Sequence, residues 1–221
     1  EQQAAEAFFA AIGRPMPPLT VHLKKVTPAY AGLGGGSADV AALLRCLRRQ
    51  YAPEMTAEEL RAIGLTVGSD VPFCVSGGTA LAEGRGERLT MLPGLPDCRI
   101  VLCKPDFGIP TPALFARADG VRLSRRPDVD GMMQALAEGN LEGIASRLCN
   151  VFEELLPGEY REVFRIREQL LELGALNAAM SGSGPTVFGI FREAAAAKTA
   201  ADALKSRYAQ TYLAKPVGTL V

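Results

Sequence analysis

Histidine and tryptophan are almost missing from this chain. Its 221 residues include one histidine, His22, and no tryptophan. A hydrolase built on a Ser-His-Asp triad, or a metal site built from several imidazoles, would therefore depend on that one residue. His22 lies in a strand-like run over 21–25, and we interpret it as a strand residue rather than a catalyst.

Paired cysteines and an excess of one charge are also missing. The five cysteines are scattered with no C-x-x-C spacing, which favours reduced thiols over a disulfide framework or a zinc site. The 24 Lys+Arg balance the 24 Asp+Glu, so the formal net charge is +0. Proteins that bind nucleic acid by neutralising phosphates are normally basic, and we expect no nucleic-acid partner here.

Long apolar runs are lacking as well. No run approaches the roughly 20 residues of a membrane-spanning helix, and no secretory signal pattern opens the sequence. We therefore expect no membrane partner and a cytoplasmic, bacterial location, with the plastid stroma as the alternative. The balance of 48% hydrophobic and 22% charged residues is typical of a globular protein.

Helical and strand patterns alternate along the chain. Helices are predicted over 1–12, from Ser37 onward, from 57 to Gly64, and over 111–119, 129–138, 140–155, 160–173 and 193–208. Strands are predicted over 19–26, 71–76, 79–83, 87–92, 99–104, on both sides of 182–184, and over 211–215. The segment 93–96, Pro-Gly-Leu-Pro, is the predicted boundary. These patterns predict an α+β fold with domains 1–96 and 97–221.

The most informative segment is 28–39, Pro-Ala-Tyr-Ala-Gly-Leu-Gly-Gly-Gly-Ser-Ala-Asp. Glycines allow backbone N–H groups to approach an anion, and a helix start adds partial positive charge. With Ser37 as the predicted N-cap, this pattern favours a phosphate-binding loop over a flexible surface turn. The loop has neither the Gly-Lys-Ser/Thr of a Walker motif nor the spacing of a dinucleotide fingerprint. Residues 106–108 spell Asp-Phe-Gly, which we interpret as a chance match because no H-R-D element accompanies it.

Two further segments could carry chemistry. In 68–73, Gly-Ser-Asp-Val-Pro-Phe, Asp70 is predicted at a loop-to-strand junction, where it could activate a hydroxyl or simply form a turn. In 177–186, a Gly/Ser turn between two strands could offer donors to an anion or simply close a hairpin.

Together these segments resemble the GHMP family of small-molecule kinases. The stretch 28–39 resembles the family's ATP loop, 68–73 its catalytic aspartate segment, and 180–188, Met-Ser-Gly-Ser-Gly-Pro-Thr-Val-Phe, its third motif. The stretches 77–89 and 109–115 are similar to its substrate-side segments. The triple glycine over 34–36 is most similar to the branch that phosphorylates a cytidine-diphosphate-linked methylerythritol in non-mevalonate isoprenoid biosynthesis.

The resemblance implies a two-lobed GHMP kinase fold. It comprises an N-terminal lobe like ribosomal S5 domain 2, lacking its first strands here, and a ferredoxin-like C-terminal lobe. It implies transfer of a phosphoryl group from ATP with Mg²⁺ to a hydroxyl, by a monomer or homodimer. The alternatives are a kinase of homoserine, mevalonate or a sugar, and a nucleotide-binding protein without catalysis.

The resemblance also assigns roles to residues. Asp70 would activate the acceptor hydroxyl. Phosphate binding is carried over to Gly32, Leu33, Gly34, Gly35, Gly36 and Ser37. Substrate contact is considered for Thr111, Phe115, Ser181, Gly182, Ser183 and Gly184, with simple packing as the alternative for Thr111 and Phe115. Mg²⁺ would be carried by ATP, with Ser37 as the one candidate protein ligand.

Two departures from the family pattern stand out. Ala38 replaces a second serine, which leaves the hydroxyl contact to Ser37. The family's opening Ala-Lys-Ile-Asn-Leu strand, whose lysine acts beside the aspartate, has no counterpart, and we expect such a segment before Glu1. Lys25 could approach the nucleotide, but a solvated lysine is the favoured interpretation.

Overall fold

The computed structural model describes residues 1–220, and the chain forms two compact units. The first unit contains residues 1–27, residues 34–92 and a C-terminal segment that starts at Val217. The second contains residues 28–33 and 93–216. The glycine-rich segment 28–39 therefore passes from the second unit into the first after Leu33.

The first unit is mainly helical. Its elements are α1 (Gln2–Ala11), α2 (Gly35–Tyr51), α3 (Ala57–Val67), α4 (Val71–Ser76), β1 (Thr79–Glu83) and β2 (Arg88–Leu92). The helices enclose an apolar core in which Phe8, Leu44 and Leu60 are fully buried. Helix α3 begins with a capping box, in which Thr56 Oγ1 accepts from the N–H of Glu59 while the Glu59 carboxylate accepts from the N–H of Thr56.

Two predictions for the first unit are wrong. Residues 19–26 form no strand, and Val21, Leu23 and Val26 are exposed. A strand needs a partner for its backbone hydrogen bonds, and none pairs with this segment within residues 1–220. Residues 71–76 form helix α4 instead of a strand, because Val71 and Val75, one turn apart, both pack into the core.

Helix boundaries differ from the predictions at two places in this unit. Helix α2 begins at Gly35, two residues before the predicted N-cap Ser37, because Gly34 takes the left-handed conformation with φ of 61°. Helix α3 continues past its predicted end at Gly64 to Val67, and Gly68 is its C-cap. The two strands predicted over 79–83 and 87–92 are confirmed as β1 and β2, and they pair as an antiparallel hairpin with Leu81 opposite Thr90.

The second unit is a four-stranded antiparallel sheet with helices. Its elements are β3 (Arg99–Lys104), α5 (Thr111–Ala118), α6 (Val129–Ala137), α7 (Leu141–Ser146), α8 (Glu162–Glu172), β4 (Asn177–Met180), β5 (Val187–Phe191), α9 (Ala194–Lys205) and β6 (Gln210–Ala214). The sheet order is β4-β5-β3-β6. With several helices between β3 and β4, this is a β-α-β-β-α-β succession, and its strand order is the ferredoxin-like arrangement that the family resemblance implies.

Helices α8 and α9 cover one face of this sheet. Ile166 and Leu170 from α8 and Ala200 from α9 are fully buried against Val101 and Phe191 of the strands. The predicted helix over 140–155 is interrupted. It divides into α7 and a 3₁₀ helix over Val151–Leu155, and Asn150 caps the latter through its side chain. Across residues 1–220, no helix combines the length and apolar character that crossing a bilayer requires.

A carboxylate at the start of α8 makes the stability of this unit depend on pH. Glu162 accepts hydrogen bonds from Tyr208 Oη at 2.5 Å, from Arg207 at 2.9 Å and from Arg165 at 3.0 Å. The Tyr208 hydrogen bond is the largest of several effects that hold the pKa of Glu162 below its ordinary value of 4.5. A carboxylate with a lowered folded-state pKa stabilises the fold above its unfolded pKa, and that contribution is lost as the pH falls through the folded value.

We therefore expect Tyr208→Phe to lower the free energy of unfolding by about 1–2 kcal/mol at neutral pH. The difference from wild type should narrow as the pH falls through the lowered folded-state pKa of Glu162, where its carboxylate becomes protonated. Urea unfolding at several pH values measures this. The matched control is Tyr212→Phe, which removes a partly exposed hydroxyl and should change stability by less than about 0.5 kcal/mol. A Tyr208→Phe deficit independent of pH would contradict the role given to Glu162.

Candidate active site

The start of helix α2 offers free backbone donors. Its N-cap is Gly34, which has no side chain with which to cap the helix, and the first turn contains no acidic residue. The N–H groups of a first helical turn have no partner within the helix. A Cβ atom placed on Gly34 or Gly36 would meet no heavy atom within 4 Å, so the space around these glycines is open. The first turn of α2, with the Ser37 side chain at its third position, is therefore suited to an anion.

An ion pair lies beside this helix start. Lys25 Nζ bonds to the Asp39 carboxylate, and the Lys25 side chain remains 37% exposed. A Cβ on Gly35 would lie 3.0 Å from Thr27 Cγ2 and 3.3 Å from Lys25 Nζ. Segment 25–27 thus packs closely on Gly35. Lys25 is therefore an exposed lysine, as the sequence suggests, and it is paired with Asp39 at the helix start.

Asp70 lies at the N-cap position of α4, at a loop-to-helix junction instead of the predicted loop-to-strand one. Its carboxylate makes no capping hydrogen bond and is exposed. Burial is the main cause that raises the pKa of the neighbouring Cys74 thiol, and the negative charge of Asp70 adds to it. A Cβ on Gly86 would lie 2.9 Å from the Ser69 carbonyl oxygen, so the hairpin turn packs against the residue before Asp70. The backbone at Asp70 is thereby supported while its carboxylate stays free.

In the second unit, Gly32 and the Gly/Ser turn over 181–184 are in direct contact. Ser181 Oγ donates to the Gly32 carbonyl oxygen at 2.8 Å, and the Thr186 N–H donates to the Ala31 carbonyl at 3.3 Å. A Cβ on Gly32 would collide with the Ser181 carbonyl and would lie 2.7 Å from the Gly184 nitrogen. Only glycine allows this approach, so the structure explains the glycine at position 32.

The same turn also contacts the segment predicted to bind substrate. Thr111 Oγ1 and Ser183 Oγ are 2.7 Å apart and share a hydrogen bond. Phe115, one turn along α5, is 55% exposed and packs edge-on against Phe152, with ring centroids 5.0 Å apart. The second unit therefore brings together Gly32, Ser181, Ser183 and Thr111 through direct contacts, with Phe115 on the same helix as Thr111. Among residues 1–220, no group of three or more His, Cys, Asp or Glu side chains is placed to hold a metal ion.

Sequence reasoning missed the residues that hold this turn in place. Asn150 Nδ2 donates to the carbonyl oxygens of Met180 at 2.7 Å and Gly182 at 2.8 Å. The Met180 N–H donates to the Glu153 carboxylate at 2.8 Å. The spacing Asn150-x-x-Glu153 is that of a helix start and could have revealed a boundary, but the continuous helical prediction over 140–155 concealed it.

Comparison with known proteins identifies the family. Residues 2–78 match the family model described as GHMP kinases N terminal domain, and residues 132–210 match GHMP kinases C terminal. A Clostridium tetani protein named 4-diphosphocytidyl-2-C-methyl-D-erythritol kinase is 38% identical over 197 residues, covering 89% of this chain and 70% of the relative. The chain belongs to the GHMP kinase family.

Two further comparisons show which GHMP kinases this chain is similar to. A Caldicellulosiruptor saccharolyticus protein with the same name is 42% identical over 185 residues, and the match covers 84% of this chain but 64% of the relative. The chain thus spans less than two thirds of that relative's length. A crystal structure of 4-(cytidine 5'-diphospho)-2C-methyl-D-erythritol kinase superposes with a TM-score of 0.81 at 32% identity, covering 98% of this chain and 77% of that chain.

Proposed function

We propose that this GHMP kinase transfers the γ-phosphoryl group of ATP to a hydroxyl of 4-diphosphocytidyl-2-C-methyl-D-erythritol, a step of non-mevalonate isoprenoid biosynthesis. The observation that carries the proposal is the open, glycine-lined start of α2 in the same unit as the free carboxylate of Asp70. The proposed substrate is the one named in the relatives called 4-diphosphocytidyl-2-C-methyl-D-erythritol kinase, which are 36–42% identical to this chain.

The first unit supplies groups suited to the transferred phosphates. Backbone amides of Gly34, Gly35 and Gly36 and the hydroxyl of Ser37 would donate to the phosphate oxygens, with Gly32 and Leu33 preceding them in the same segment. The partial positive charge of the α2 start favours an anion at this end of a 17-residue helix. The donor set thus fits a triphosphate. Lys25 is held nearby by Asp39 and adds a positive charge beside Gly35.

Mg²⁺ fits as an ion carried by ATP. The protein would offer the Ser37 hydroxyl as a ligand, while the carboxylate of Asp39, two residues further along α2, is paired with Lys25. When bound with ATP, the ion neutralises charge on the phosphates. Mg²⁺ also usually keeps several waters and binds through substrate phosphates rather than an all-protein cage.

Asp70 would act on the acceptor. In the transfer, the acceptor oxygen forms a bond to the γ-phosphorus, the bond from that phosphorus to the bridging oxygen of ADP breaks, and the hydroxyl proton passes to the Asp70 carboxylate. Because the transition state of phosphoryl transfer is loose, the proton leaves late and an ordinary carboxylate suffices. Orienting the hydroxyl is the larger part of its task.

The second unit supplies groups suited to the acceptor. Phe115 presents an exposed aromatic ring that a pyrimidine base could stack on, and Thr111, Ser181 and Ser183 offer hydroxyls. The backbone N–H group of Gly182 is a further donor in the same turn, whereas that of Gly184 is bonded to the Ser181 carbonyl oxygen, so Gly184 would contribute through its backbone conformation. We propose these residues as contacts for the cytidine-diphosphate-linked substrate.

The test is an ADP-release assay with Mg-ATP, using the protein expressed from its complete reading frame. We expect turnover with 4-diphosphocytidyl-2-C-methyl-D-erythritol and less than about 1% of that rate with homoserine, mevalonate or galactose, since the site would lack contacts for them. The product is checked by mass spectrometry for one added phosphoryl group. Equal turnover of another acceptor would overturn the substrate assignment, and ATP binding without turnover of any acceptor would overturn catalysis.

A further inference from the structure

Asn150 uses a single side-chain amide to hold two carbonyl groups at the end of strand β4. Its Nδ2 donates to Met180 O and to Gly182 O, while its Oδ1 accepts from the N–H of Phe152 at 3.0 Å. One donor group thus fixes the last residue of the strand and the second residue of the turn at once. A cavity of about 380 Å³, lined in part by Asn150, Phe152 and Ser181, lies at this point.

Glu153, in the 3₁₀ helix that follows Asn150, also binds the end of strand β4. Its Oε1 accepts from the Met180 N–H, and its side chain is only 9% exposed. Arg167 pairs with Glu153 at 3.4 Å and donates through Nε to the Ala178 carbonyl at 2.9 Å. Three side chains therefore bind four backbone groups between Ala178 and Gly182, but only Asn150 reaches beyond the strand into the turn.

The turn transmits this placement to the residues proposed to bind ligands. Beyond Met180 it presents Ser181 Oγ to the Gly32 carbonyl and Ser183 Oγ to Thr111. A hydrogen bond from the Gly184 N–H to Ser181 O, at 2.8 Å, closes the turn and links its first and last residues. We therefore expect that loss of the Asn150 hydrogen bonds to Met180 O and Gly182 O would displace the hydroxyl groups of Ser181 and Ser183.

We propose that Asn150 is a positioning residue, whose amide sets the Ser181–Gly184 turn against Gly32 and Thr111 and so tunes both nucleotide and acceptor use. The inference rests on the proposed function. It requires no contact of Asn150 with either substrate.

The test compares Asn150→Ala and Asn150→Asp with Asn177→Ala in steady-state kinetics and thermal unfolding. Asn177 is the matched control, because its Nδ2 donates to the Ala145 carbonyl at 2.8 Å from the opposite end of the same strand. Both Asn150 variants should lose about 30-fold or more in kcat/KM for each substrate, since a displacement of about 1 Å can cost about 100-fold. Asn177→Ala should stay within about threefold of wild type, while its melting temperature falls as much as that of Asn150→Ala.

The Asn150→Asp variant distinguishes a loss of activity caused by a displaced turn from one caused by the loss of the whole side chain. It keeps the size of the side chain and the acceptor for the Phe152 N–H, and it removes the donor to Met180 and Gly182. Wild-type kcat/KM in Asn150→Asp, or equal kinetics in Asn150→Ala and Asn177→Ala, would overturn the proposal. Turnover by the wild-type protein tests the proposed function separately, so the two can fail independently.

Discussion

Asp70→Asn should reduce kcat by about 10²–10⁴-fold while the KM for ATP changes by no more than a few-fold. The amide cannot accept the proton of the acceptor hydroxyl, and it orients that hydroxyl less strongly than a carboxylate does. The phosphate-binding groups at the start of α2 do not involve this side chain, so ATP binding should persist. Steady-state kinetics with varied ATP measure both constants.

The structure also predicts that Asp70→Asn will fold normally. The Asp70 carboxylate is exposed and makes no capping hydrogen bond to α4, so its replacement removes no native contact of the helix. The melting temperature should therefore match that of wild type. The matched control is Asp106→Asn, an exposed aspartate in the Asp-Phe-Gly sequence that we interpret as a chance match. Full activity in Asp70→Asn, or an equal loss in Asp106→Asn, would contradict the role assigned to Asp70.

Among three glycine-to-alanine substitutions in the second unit, Gly32→Ala should lower the free energy of unfolding the most. The new methyl group would collide with the Ser181 carbonyl and lie 2.9 Å from the Gly184 carbonyl oxygen, and the backbone φ of 71° is itself unfavourable for alanine. Left-handed strain costs about 1–2 kcal/mol and overpacking adds about 1–3 kcal/mol. We expect a loss of about 2–5 kcal/mol in the free energy of unfolding, together with a raised KM for ATP.

Two other glycines of the second unit separate the effect of backbone strain from the effect of overpacking. Gly174 has a φ of 93° and nothing within 4 Å of its Cβ position, so Gly174→Ala should cost only the strain of about 1–2 kcal/mol. Gly158 also has open space but no positive φ, so Gly158→Ala should be nearly neutral. Urea unfolding should therefore rank the three in the order Gly32, Gly174, Gly158. Equal losses at Gly32 and Gly174 would show that the turn yields to the methyl group.

Local signals predicted most elements of the second unit. Strands β3, β4, β5 and β6 have the short apolar runs that the sequence suggested, and all pair within this unit. The interruption after α7 could not be predicted from periodicity. It depends on Asn150 binding Met180 and Gly182, residues 30 and 32 positions away in sequence.

The first unit shows where periodicity fails. The alternation over 19–26 is real, but a strand depends on a neighbour that local sequence does not specify. Residues 71–76 are too short for a period of 2 or of 3.6 to be distinguished, and Pro72 fits the first turn of a helix as well as it fits a strand end. The sequence predicts a junction at Asp70, because Gly68 and Pro72 mark a break in either structure, but the element that follows is a helix and not the predicted strand.

The contact of Gly32 with Ser181 was equally beyond local reasoning. Each segment taken alone indicates a glycine-rich turn, and only the resemblance to a kinase family connected them. Their direct hydrogen bond spans 149 residues of sequence. The reason for glycine at position 32 is therefore the proximity of a distant backbone as well as an unusual φ.

The side chains along β4 have a consequence for self-association. This strand is at the edge of its sheet, and an uncovered edge offers backbone groups to which another chain can add a strand. Asn150, Glu153 and Arg167 already occupy the groups at Ala178, Met180 and Gly182. A second molecule would have to displace an amide, a carboxylate and a guanidinium before it could pair there. The residues that hold the turn thus also protect this edge against intermolecular β-sheet formation and aggregation.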